Sequence, residues 1–311
     1  MINPYADVVW SGVNYIQSLC HAHIRDQERF DRAYNTGIRH FALTRYHPSI
    51  ITYPLEDFFE VPFDAIGCPN TEHLSPSTYG FHHNSIGSLY EYESDVPVIN
   101  SMEEQVDAIV AQLIYPGGGG ITINHPGDAN RIDQVNTWLD YSPLVLGIEI
   151  LNTDYNYDAR KLWDNVLNTG RRCWGFCVPD HTFSNPDIPH IFRNVLLTDA
   201  WTELACAVAY RKGAFYGCHT GAGCKFTNIS LSGGKLTVTT DTATSIKFIA
   251  NRSVRMTVSG NTAVYGIRSD DVYVRIEATD GDEVIFSNPI MLKTKEDIRK
   301  EQMRKRFLLM S

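Results

Sequence analysis

Two histidines one residue apart, His21 and His23, follow the apolar segment VNYIQSLC. Side chains two apart on an extended chain point the same way, so both imidazoles can reach one metal ion. Alone, such a pair is a weak signal; its weight comes from similar residues further along the chain. His47 ends LTRYH, Glu72 and His73 follow DAIGCPN, and His82 and His83 stand in YGFHHNSIG. His125 closes ITINH, and Asp180 and His181 follow WGFCVP. Nearly every short apolar run thus ends in a residue type that binds metal, and mixed imidazole and carboxylate sets suit Zn, Mn or Fe. Adjacent strand residues point oppositely, so only one of His82 and His83 is needed. Arg25 and Arg45 lie close to these positions and suit either a bidentate grip on phosphate or a salt bridge on an acidic surface.

Other polar positions read as structural. His40 marks a boundary before an apolar run, while His190 and His219 have no carboxylate neighbour. Asp154 and Asp158 suit a loop and a helix cap. Gly117 to Gly120 lack the GK[ST] that completes a phosphate loop and read as a flexible turn.

The elements that must position these residues are legible as alternating patterns. IRHFALT (38–44), GITINH (120–125), LVLGIEIL (144–151), RRCWGFCV (171–178) and RNVLLT (193–198) are short apolar runs bounded by Gly, Pro or Asn, as buried strands are. Between them, Ser101 with Glu104 predicts a capping box opening a helix, and 157–170 and 199–213 read as helices closed by Gly170 and Gly213. Such alternation predicts a mainly parallel α/β domain over residues 1–222, with its site in loops at the ends of strands. From residue 223 to 293 the chain turns rich in Thr, Ser and Val. DVYVRIEA alternates Val272, Val274, Ile276 and Ala278 with polar neighbours, predicting a small antiparallel, Ig-like β-sandwich. Residues 294–311 form a charged tail expected to be helical.

Charge is divided in the same way. The 311 residues carry a net charge of −9, with a surplus of acidic residues up to position 224 and of basic residues beyond it; all 11 histidines lie at or before His219. An acidic, histidine-bearing first part suits a cation site and argues against general nucleic-acid binding. No apolar run approaches the ~20 residues that span a bilayer. The N-terminus lacks the basic and apolar regions of a secretory signal, and the seven cysteines have no framework spacing, so a reducing, cytoplasmic setting is expected.

Taken in order, HAH at 21–23, TxxH at 44–47, Glu72, HxN at 82–84, NHPG from Asn124, GIEILN from Gly147 and DH at 180–181 resemble the PHP (polymerase and histidinol phosphatase) superfamily of metal-dependent phosphoesterases. The resemblance covers roughly residues 14–222, and the trailing β-rich part looks like a small C-terminal domain that some members carry. It implies a distorted (β/α)7 barrel, related to the TIM barrel, holding two or three divalent ions (Zn, Mn or Fe). By the same resemblance His21, His23, Glu72 and Asp180 would hold the first ion. His82 and His125 would hold a second with Glu72 as the bridge, and His47 and His181 would serve the remaining one. The HxN spacing favours His82 over His83. Two departures stand out: the usual TDH is here Thr44-Arg45-Tyr46-His47, and the usual DxH is Asp180-His181 without a spacer.

The expected activity is hydrolysis of a phosphate ester, either a small phosphorylated metabolite or a nucleotide, with Glu72, Asp180 and His181 in catalytic roles. Two cations bridged by a carboxylate would acidify a shared water, and the hydroxide would attack phosphorus in line. Two alternatives remain: a metal-stabilised binding or structural module of the same fold, and an amidohydrolase-like enzyme. The latter lacks an obvious bridging lysine, since before Lys225 there are only Lys161 and Lys212.

Overall fold

A computed structural model describes residues 1–46, 48–74, 80–94, 96, 99–127, 129–153, 157–185, 191–219 and 223–310, the last five by backbone alone. The expected position of His47, together with Asp154 and His190, lies outside the described residues.

The first part is α/β, as the alternation of runs predicts, but its pairing is mixed rather than mainly parallel. The strand Asn14–Leu19 runs parallel to His40–Phe41, which runs parallel to Ile66–Gly67, yet it is antiparallel to Arg193–Thr198. A second sheet joins Glu72–His73, His83–Ile86, Gly120–Ile123, Val145–Asn152 and Trp174–Val178, antiparallel at the first two junctions and parallel at the last two. Strand direction is set by how the connections return. The link from Glu72–His73 to His83–Ile86 spans only residues 74–82, shorter than the dozen or so residues a parallel crossover needs, so an antiparallel partner results. Among the described residues the two sheets do not hydrogen-bond into one closed cylinder.

The helices form where capping and periodicity place them. Ser101 caps Met102–Ala111 by accepting from the Glu104 amide at 3.2 Å, and the Glu104 carboxylate reaches back past the cap to accept from the Asn100 amide, a capping box whose return bond is shifted by one residue. Glu203–Lys212 ends at Gly213, whose φ of 75° is the left-handed turn that glycine adopts without a Cβ clash. The 157–170 stretch is helical only over Arg160–Leu167, because Tyr157–Asp158 pairs first with the strand Val145–Asn152. The tail is helical over Lys295–Met310.

The glycine run is a clamped turn. Arg211 donates to the carbonyls of Gly118 and Gly119, and a Cβ on Gly118 would lie 2.8 Å from that of Ala207. These carbonyls face a guanidinium of the protein's own, the reverse of a phosphate cradle.

The C-terminal part is antiparallel, with a three-stranded sheet of Phe226–Ser232, Lys235–Thr240 and Thr262–Gly266. This sheet shares one buried cluster with Ser245–Ala250 and Tyr273–Asp280, through Phe226, Leu236, Val238, Phe248 and Ile276. The two parts are not separate sheets. Phe215–Cys218 of the first part pairs with Glu283–Ser287 of the second, so one ten-stranded sheet runs from Ser253–Ser259 to Ile66–Gly67 across position 222. Asn288 fastens the seam. Its Oδ1 accepts from the Gly175 amide at 2.8 Å, and its Nδ2 donates to the carbonyls of Gly213 (3.0 Å) and Phe215 (3.2 Å).

Candidate metal centre

The loops after three strands and before a fourth turn their side chains toward one point. His21 and His23 follow Asn14–Leu19, His125 follows Gly120–Ile123, and Asp180 follows Trp174–Val178. His82 precedes its strand, because His83–Ile86 runs antiparallel to its neighbours and presents its N-terminal end to the same mouth. His125 (φ 23°) and Asp180 (φ 46°) both have left-handed backbones. Such conformations cost about 1–3 kcal/mol each and persist where the surroundings fix them, commonly at functional sites.

Glu72 stands between two groups of donors. Its Oε2 lies 3.2 Å from Nε2 of His21 and 3.3 Å from Nε2 of His23; Asp180 Oδ1 lies 2.9 and 3.1 Å from the same nitrogens. Its Oε1 lies 3.2 Å from Nδ1 of His82 and 3.4 Å from Nε2 of His125. The donor atoms of His21, His23, Glu72 and Asp180 lie within 4.8 Å of one another, as do those of Glu72, His82 and His125.

Buried polar side chains hold this arrangement. Glu149, fully buried, accepts from His21 Nδ1 at 2.6 Å with one oxygen; with the other it accepts from the His125 amide at 2.7 Å and Asn152 Nδ2 at 3.1 Å. Asn152 also donates to Asp180 Oδ2, and Asn124 donates to Glu72 Oε1. Asn70 and Asn84 both donate to the Cys20 carbonyl, fixing the backbone just before His21.

These supporting bonds bear on what the donors can hold. Because His21 Nδ1 donates its proton to Glu149, a neutral His21 turns the lone pair of Nε2 toward two carboxylate oxygens. That atom is buried and makes no hydrogen bond of sound geometry. Either a second proton or a cation must lie there. The residues therefore fit divalent ions: imidazole and carboxylate donors, a bridging Glu, and a carboxylate behind the ligand histidine that fixes its tautomer.

Without a cation the site balances charge through protons. Burial lowers the pKa of His21, but the charges of Glu72, Glu149 and Asp180 outweigh it and hold the ring well above its ordinary value. His23 and His125 are raised against burial by the same carboxylates. Burial pushes Glu72 and Asp180 up, and the facing histidines, His21 foremost, pull both below the usual carboxylate range.

The remaining expected residues lie elsewhere. His83 is not at the cluster: it is fully buried, its Nδ1 meets the Phe81 carbonyl at 2.9 Å, and its ring stacks on His73 at 5.4 Å; burial lowers its pKa to about 4. Adjacent residues point oppositely, so with His82 at the cluster His83 turns away from it. His181 stands beside Asp180 but outside both donor groups, its Nδ1 accepting from the Phe183 amide. Arg25 is exposed and Arg45 half-buried; among the described residues neither forms an ion pair, so the salt-bridge alternative has no partner there. His40 is buried at the start of its strand against Ser18.

Two residues at the site are not evident from the sequence. Glu149 is hidden in the apolar run LVLGIEIL, where an isolated carboxylate was itself the available signal. Tyr46 packs its ring against His23 (5.8 Å between centroids) and His82 (5.2 Å), at the mouth of the cluster. Its position beside His47 gave no sign of that.

Fold and site together define a two-part α/β protein with a buried centre able to hold metal. The chain is similar in fold to the crystal structure of a two-domain protein from Bacteroides vulgatus ATCC 8482, described as containing a predicted PHP-like metal-dependent phosphoesterase. The two share 14% identity and a TM-score of 0.51, over 94% of this chain and 97% of that one. The likeness is one of fold and extends over both parts. No protein-family model and no curated protein matches the sequence. Among the described residues, no helix is long and apolar enough to cross a membrane.

Proposed function

We propose that this chain is a metal-dependent phosphoesterase of the PHP type, acting on a small phosphate ester or nucleotide. The first part is read as a distorted (β/α)7 barrel and the second as a β-sandwich. The observation that carries the proposal is Glu72, which gives one oxygen to each of two donor groups, as a bridge between two cations would. In this reading His21, His23 and Asp180 hold one ion with Glu72, and His82 and His125 hold the other. Divalent ions there would supply charge neutralisation for the phosphoryl group and the acidity that makes water a nucleophile at neutral pH. Glu149 keeps His21 in the tautomer that points Nε2 inward, and Asn152 orients Asp180. The substrate enters on the side of His82 and His125, which are 30% and 22% exposed, because the first group is almost sealed. Arg45, without an acidic partner among the described residues, is the side chain assigned to meet the ester's phosphate.

The sealing of the first group favours one second reading, a cation held only for stability in a binding module. An amidohydrolase-like reading finds no support: Lys161 is exposed on its helix, and Lys212 pairs with Asp7 at the surface. The test is metal analysis of the purified protein with turnover on a panel of phosphate mono- and diesters. Turnover that Glu72→Gln abolishes supports the esterase; bound metal with no turnover on any ester selects the binding module.

A further inference from the structure

The two donor groups are built to different standards. In the first, His21 is locked by Glu149 at 2.6 Å, Asp180 is held by Asn152 at 3.0 Å, and the least buried side chain, His23, is only 12% exposed. In the second, the His82 ring makes no hydrogen bond among the described residues except to Glu72, and no carboxylate stands behind it. What fixes the His82 imidazole is ring packing, against His125 (5.1 Å) and Tyr46 (5.2 Å). Tyr46 also leans on His23, so one aromatic ring braces an imidazole of each group. Its own place is secured by backbone contacts: the Thr44 amide donates to the Ala22 carbonyl at 3.0 Å, and the Thr71 hydroxyl donates to the Arg45 carbonyl.

We propose that the two cation positions are unequal in affinity, and that Tyr46 is a positioning residue whose ring sets the affinity of the second. The first position is preorganised by buried hydrogen bonds. The second is completed only when the Tyr46 ring holds His82 in line with Glu72 and His125. Removing the ring frees the His82 side chain to rotate toward solvent, and the entropy of ordering it again is then charged against cation binding. The role is assigned to the ring, which packs on both imidazoles.

The inference rests on the two-cation reading. It is tested by calorimetric titration of the metal-free, full-length protein with Mn2+, alongside Tyr46→Ala and Tyr46→Phe. The wild type is expected to show a tight and a weaker class of site. Tyr46→Ala is expected to weaken the second class about 10- to 100-fold, the range seen when a supporting group behind a ligand is lost, and to leave the first nearly unchanged. Tyr46→Phe should behave as wild type. Tyr46→Leu, which keeps apolar bulk, serves if the alanine variant does not fold. An unaltered second class in Tyr46→Ala overturns the role of Tyr46 alone, as does a loss in Tyr46→Phe equal to that in the alanine variant. A wild type that binds no second ion overturns the inequality and the two-cation reading together.

Discussion

Replacing Glu149 by Gln keeps the volume of the side chain and removes one acceptor from a place where three donors converge. His21 Nδ1 (2.6 Å), the His125 amide (2.7 Å) and Asn152 Nδ2 (3.1 Å) all give protons to this carboxylate. The amide has one oxygen to offer. If it faces His21, the His125 amide and Asn152 confront an NH2 group, and a buried donor left unmet costs about 1–3 kcal/mol. If it faces the other way, His21 must accept at Nδ1 and move its proton to Nε2, the atom aimed at Glu72 and Asp180. A cation is then blocked by a proton. Both outcomes weaken metal binding, by about 10- to 100-fold on the usual scale for such supporting groups, or about 1.4–2.8 kcal/mol. Metal-free protein should also lose about 1–3 kcal/mol of stability. Titration with Mn2+ and urea unfolding of the metal-free protein read the two effects separately. A Glu149→Gln variant with wild-type affinity and a wild-type unfolding midpoint would refute the reasoning.

Chelation of bound metal should lower the melting temperature, by an amount equivalent to about 2.7 kcal/mol where free metal stood at a hundred times its Kd; a scan with and without chelator checks this. Asn288→Ala leaves the Gly175 amide without its partner, while the Gly213 and Phe215 carbonyls keep the Phe215 amide and the Tyr5 hydroxyl, and is expected to cost about 1–3 kcal/mol. Urea unfolding measures it, and a loss under about 0.5 kcal/mol, the size of an ordinary surface change, would show that the seam does not depend on this side chain. Asp140 holds Arg171 and Lys295 at 2.7 Å; hydrogen bonding to Arg171, against some burial and with help from Lys295, lowers its pKa from 3.8 to about 2. A depressed carboxyl stabilises the fold above its unfolded pKa and loses that contribution as pH falls through the folded one. Wild type should therefore lose stability relative to Asp140→Asn as pH falls from about 4 to 2, and parallel melting curves across that window would contradict it.

Much of the centre was legible because each of its ligands closes or opens a short strand, where period-two alternation and flanking turn residues are visible in the sequence. His21, His23, Glu72, His125 and Asp180 could be placed at one mouth on that ground. The opposed directions of adjacent residues meant that only one of His82 and His83 was needed, and the HxN spacing of the resemblance pointed to His82. Glu149 was not legible, since a carboxylate inside an eight-residue, otherwise apolar run looks like a flaw in a core strand until its three donors are seen. Tyr46 was hidden for a related reason: ring packing between loops leaves no periodic trace. Strand direction was lost as well. The apolar runs that fix strand positions are the same whether a neighbour is parallel or antiparallel, so Arg193–Thr198 gave no warning that it runs against Asn14–Leu19. The pairing of Phe215–Cys218 with Glu283–Ser287 joins residues far apart in the chain, beyond the reach of any local pattern.

That last pairing has a practical consequence. A shortened chain ending near position 222 would leave Phe215–Cys218 with a raw edge of unpaired amides and carbonyls beside apolar side chains, a template for adhesion between molecules. The C-terminal part thus acts as the permanent cover of that border. Any attempt to express the part with the candidate metal centre alone should either retain Glu283–Ser287 or blunt the exposed margin with charge.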